Sequence, residues 1–136
     1  MKNILFILGI AALSMSASCK KNVDAHVPPD LSFESGGGYT TADRTINHGD
    51  SILVGVRIVK KEDDLRTLNI SYAYDGSSST LTWAPGSHTM TPAEYSSYGN
   101  DYYIVTRNVA GTEKWTFTVS DRDGNITQKS ITLTVQ

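Results

Sequence analysis

The chain predicts an all-β fold, an antiparallel sandwich of about seven or eight short strands, and three observations carry that reading. Apolar residues alternate with polar ones over four separate stretches, which is the period of a strand with one face in a core. Turn residues interrupt the chain at spacings near ten residues with no helical pattern between them, which favours hairpins over crossover helices. Threonine, valine, isoleucine and tyrosine fill the alternating stretches, and these side chains suit a pleated surface.

The elements follow in order. Residues 20–29 are polar and end in Pro28-Pro29; proline fixes φ and donates no backbone hydrogen bond, so this is an extended spacer. Residues 31–33 and 45–47 are weak strand candidates on either side of the Gly36-Gly37-Gly38 turn. Asn47-His48-Gly49-Asp50 then turns the chain into 51–60, where Ile52, Val54, Val56 and Ile58 share a face. The run Lys60-Lys61-Glu62-Asp63-Asp64 mixes both signs and reads as a solvated loop. In 67–74, Leu68, Ile70, Tyr72 and Tyr74 alternate with polar or small residues, and Asp75-Gly76 ends the stretch. A weak candidate at 79–83 stops at Pro85-Gly86. Thr91-Pro92-Ala93-Glu94 has a Thr cap, a Pro at the first helical position and a Glu that closes a capping box, so one helical turn is expected in a loop. Gly99-Asn100 reads as a turn before a weak strand at 102–107. Residues 114–120 place Trp115, Phe117 and Val119 on one face, Asp123-Gly124-Asn125 turns the chain, and 130–135 closes it with Ile131, Leu133 and Val135 inward.

Ahead of all this, Lys2, an apolar run from Ile4 to Leu13 and the small residues Ser16-Ala17-Ser18 lead directly into Cys19, the single cysteine. The run is shorter than the roughly 20 residues that span a bilayer. The segment resembles a bacterial lipoprotein signal of the Bacteroidetes type, with Ser16 in place of the usual Leu. That resemblance implies cleavage before Cys19, lipid on its sulfur, and a place in the cell envelope on the outer membrane. It divides the chain into a signal peptide (1–18), a lipidated cysteine with its tether (19–29) and one domain (30–136). With its only cysteine lipidated, the domain has no disulfide and depends on its core.

Toward the C-terminus, Ala110-Gly111-Thr112-Glu113-Lys114-Trp115-Thr116-Phe117-Thr118-Val119-Ser120-Asp121-Arg122-Asp123-Gly124-Asn125 followed by 130–135 resembles the closing hairpin of PKD-like and bacterial Ig-like domains. Residues 33–39 and 49–56 are similar to the opening of such domains in Bacteroidetes surface lipoproteins. The Trp-Asp-Phe-Gly-Asp element of PKD domains is absent, so the resemblance is to a generic Ig-like β-sandwich. It implies a fold, and a fold of this kind hosts many functions.

Composition narrows those functions. Twelve basic and 14 acidic residues give a net charge of −2, and no basic cluster is present, which argues against a nucleic-acid partner. No catalytic signature is found: His26, His48 and His88 lack metal-site spacing, and Gly36-Gly37-Gly38 lacks the Lys-Ser of a phosphate loop. Asp121, Asp123 and Asn125 resemble the start of an EF-hand calcium loop, but Thr132 stands where that loop needs a Glu; the other reading is a hairpin turn. No cofactor other than Ca2+ is implied. Tyr95, Tyr98, Tyr102 and Tyr103, with Trp83 upstream, make an aromatic cluster that either stacks on sugar C–H faces or fills the core. Asp50-Ser51-Ile52 looks like the short O-glycosylation motif of Bacteroidetes, which would put a glycan on Ser51. The expectation is therefore a membrane-anchored, non-enzymatic binding module for a glycan or protein ligand. The alternative is a structural or accessory subunit that engages partners through an exposed edge strand.

Overall fold

The computed structural model describes residues 25–136; Cys19 and the signal-like segment lie outside the described residues. The strands are β1 (Asp30–Phe33), β2 (Arg44–Ile46), β3 (Ser51–Val59), β4 (Leu65–Tyr74), β5 (Leu81–Thr82), β6 (His88–Thr89), β7 (Ser97–Val105), β8 (Gly111–Asp121) and β9 (Ile126–Val135). They form two sheets. The smaller has the order β1-β3-β7; the larger has the order β2-β9-β8-β4, with the two-residue strands β5 and β6 both on the outer edge of β4. This is a two-layer β-sandwich, as the alternation predicts.

The core lies between the sheets and is built from the predicted faces. Ile52, Val54, Val56 and Ile58 of β3 are each no more than 2% exposed, and Phe117, Val119, Ile131 and Leu133 of the opposite sheet are fully buried. Phe33 of the small sheet meets Phe117 of the large one edge to face, with centroids 5.1 Å apart. Each such large apolar side chain contributes about 1.5–3 kcal/mol by leaving water. With no disulfide among the described residues, these contacts hold the two layers together.

Local chemistry sets the connections. Asp75 and Gly76 both take positive φ, 51° and 74°, and Ser77 N donates to Tyr74 O at 2.9 Å; this is the tight turn that Asp-Gly favours. Residues Pro92–Glu94 form one 3₁₀ turn, where the backbone N–H and hydroxyl of Thr91 each donate to Glu94 Oε2 at 2.8 Å.

The structure departs from the sequence reading at several places, among them that β9 begins at Ile126 rather than 130 and that a short strand, β6, forms at His88–Thr89. Gly99-Asn100 is not a turn: β7 runs straight through it, because all nine residues pair with β3, from Ser97 opposite Val59 to Val105 opposite Ser51. Long-range pairing outweighs local turn preference there. One strand pair is parallel, β2 on β9 (Arg44 opposite Leu133); residues 34–43 carry the chain from one sheet to the other, and Asp43 Oδ1 accepts Thr132 N at 2.7 Å. The strand expected at 79–83 shrinks to two residues, after which Trp83 N donates to Ile70 O. Finally, the spacer's last residues lie on the domain. Ala25 N and Val27 N donate to the two carboxylate oxygens of Glu62, and Thr127 Oγ1 donates to the carbonyl of the buried Pro29.

Candidate functional site

The five aromatic residues do not form one patch. On β7 the side chains alternate, so Tyr102 points inward and is 5% exposed while Tyr103 points outward and is 69% exposed. Trp83 packs edge to face on Tyr102 at 5.9 Å and on Trp115 at 5.6 Å. Tyr98 is half-buried, with its hydroxyl 3.1 Å from that of Tyr102 and its ring stacked on His88 at 4.6 Å. Burial, then the bond to Tyr102, raise the Tyr98 phenol above its ordinary range. Trp83, Tyr98 and Tyr102 thus belong to an aromatic seam that continues through Trp115 to Tyr72, 4.9 Å away. Tyr95 and Tyr103 remain at the surface, just before the start and near the end of β7 respectively.

Asp121, Asp123 and Asn125 form the β8–β9 turn. Asp121 is fully buried; its Oδ1 accepts Asn125 N at 2.8 Å and its Oδ2 accepts Asn125 Nδ2 at 2.9 Å. Asp123 lies 3.6 Å from Arg122, which itself bridges to Asp63 at 2.7 Å. Among the described residues no group of three His, Cys, Asp or Glu side chains is placed to hold a metal. Ser51 is exposed at the start of β3.

Three features carry chemistry that the alternation does not show. The first is on the outer face of the small sheet, where Gly55 stands opposite Asp101. Without a side chain at 55, Tyr39 lies over the backbone and donates to Asp101 Oδ2 at 2.7 Å, while Arg57 donates to Asp101 Oδ1 at 3.0 Å and pairs with Glu34 at 3.0 Å. Tyr39, then Arg57, hold the Asp101 carboxyl below its ordinary range. Beyond Asp101, β7 presents Tyr103 and Val105, 69% and 65% exposed, and its other edge pairs with no strand among the described residues.

The second feature closes the far end of the sandwich. Glu113 is fully buried and accepts Trp115 Nε1 at 3.0 Å and Arg107 N at 2.7 Å. Arg107 forks onto Asp75 and lies 4.6 Å over the Tyr74 ring. These bonds fix the β7–β8 link to the β4–β5 turn.

The third is a cleft of 280 Å³ at the opposite end, lined by Asp64, Leu65, Arg66, Thr89, Met90, Tyr95 and Arg122. Its sequence signal is slight: a single extra residue in β4, where the pairing with β8 slips between Leu65 and Thr67.

No protein-family model matches the chain, and no curated protein matches it. Among the solved structures it resembles is that of murine CRIg, with a TM-score of 0.41 and 14% identity, over 79% of this chain and 98% of that chain.

Proposed function

We propose that this chain is a lipid-anchored, extracytoplasmic binding module without enzymatic activity, which takes a protein partner along β7. The observation that carries this reading is the outer edge of β7 in the small sheet, which pairs with no strand among the described residues. An unpaired edge offers a row of backbone donors and acceptors to an incoming strand. Asp101, engaged by Tyr39 and Arg57, makes the middle of the edge polar. The exposed Tyr103 and Val105 make its last third apolar, so the partner strand would register over 101–105. The anchor is Cys19, on its resemblance to lipoprotein signals. A glycan platform built on the whole aromatic cluster has less support, because Trp83, Tyr98 and Tyr102 are committed to the core seam.

The test is site-specific photocrosslinking in intact cells. A crosslinker at Tyr103 should trap one discrete envelope protein, and Val105→Lys should abolish the product without lowering the melting temperature. The same crosslinker at Lys129, on the other sheet, should trap nothing discrete. An absent product at 103, or identical products at 103 and 129, would overturn the reading.

A further inference from the structure

The cleft at the β8–β9 end has the attributes of a small-ligand site. Its floor is apolar, from Leu65 and Met90, 1% and 5% exposed. One wall is Tyr95, whose carbonyl accepts Leu65 N at 2.9 Å and so ties that residue to the cleft's edge. Arg66 is the bulged residue of β4, set between the pairs Leu65–Asp121 and Thr67–Ser120, and its carbonyl accepts Met90 N at 2.9 Å. A bulge re-aims the side chain it carries. The charge placed there is uncommitted: among the described residues the Arg66 side chain has no ion pair or hydrogen bond. By contrast Arg57, Arg107 and Arg122 each hold a carboxylate.

The polar rim adds selectivity. Asp64 Oδ1 accepts from Lys60 Nζ at 2.9 Å, and its Oδ2 stands 3.9 Å from Arg122; Thr89 adds a hydroxyl. An aromatic ring lining an apolar cleft suits the C–H face of a sugar ring, an arginine suits a carboxylate, and the rim suits ring hydroxyls. The volume is close to the lower limit of about 300 Å³ for ligand clefts, room for one ring. We propose that the cleft binds a single acidic sugar residue, a hexuronic acid, with Arg66 pairing its carboxylate and Tyr95 stacking on its ring. A fatty acid would make no use of the Thr89 hydroxyl, and a neutral sugar would leave Arg66 without a partner.

This site is separate from β7, so its failure leaves the edge-strand reading standing, and the converse holds. The experiment is an NMR titration of the full-length chain in mild detergent with sodium glucuronate, with glucose in parallel. Glucuronate should give saturable shifts at the amides of Arg66, Thr89 and Tyr95, with glucose at least about tenfold weaker. Arg66→Gln should weaken glucuronate binding by at least about tenfold at an unchanged melting temperature. Should that variant melt lower, Tyr95→Leu, which keeps an apolar wall, decides by the same loss. Absent saturable shifts, equal binding of glucose, or full binding by both variants would overturn the proposal.

Discussion

Glu94 concentrates three donors on one carboxylate oxygen: the backbone N–H and the hydroxyl of Thr91, each at 2.8 Å, and Nε2 of His88 at 2.9 Å. The Thr91 backbone bond is the largest cause, followed by His88, and together they hold the carboxyl down from 4.5 to about 2. A carboxyl whose folded value lies below its unfolded one contributes stability above pH 4.5 and loses it as pH falls toward 2. The melting temperature should therefore drop across that interval, and Glu94→Gln should drop less from pH 5 to pH 2. An identical drop in the two proteins would remove Glu94 from the account. Asp75 and Asp101 are also held low, by Arg107 and by Tyr39, so the comparison between variants isolates the Glu94 share. The capping box could be read from Thr91 and Glu94, three apart. His88, six residues before Glu94 and on the strand β6, could not be.

Strands, taken one at a time, show what controls them. For β3, β8 and the last half of β9 the alternation was sufficient, since every second residue meets the core and no turn residue competes. For β7 it was not: Gly99 and Asn100 carry turn chemistry, and only the pairing with β3 makes them strand. The same pairing decides that Tyr102 is core and Tyr103 is surface, so a cluster of tyrosines was legible and its division was not. The Arg66 bulge was illegible for a related reason, because one extra residue hardly disturbs an alternating pattern. Gly55 shows how β3 and β7 depend on each other. A Cβ at 55 would come within 2.6 Å of Glu34 Cβ and 2.8 Å of the Tyr39 ring, forcing Tyr39 off Asp101. Gly55→Ala should cost about 1–3 kcal/mol, the usual range for overpacking, in chemical denaturation. A variant as stable as the parent would mean that Tyr39 moves aside freely.

Across the whole molecule, the separable predictions are attachment and closure. If Cys19 carries the lipid, Cys19→Ser should lose acyl label and leave the membrane fraction while the domain melts unchanged; a variant that stays in the membrane fraction would sink the anchor. Closure depends on the strand order of the larger sheet. β9 lies between β8 and β2, so Ile126–Val135 fills a position inside the sheet. The pair Ile46 and Val135 are far apart in sequence yet adjacent in the ladder, an arrangement that slows folding. During synthesis, which proceeds from the N-terminus, β2 has no partner and β8 keeps a bare edge until β9 has emerged. The domain thus remains open for as long as β9 is still inside a ribosome or a narrow conduit, and it closes once that strand is free to pair.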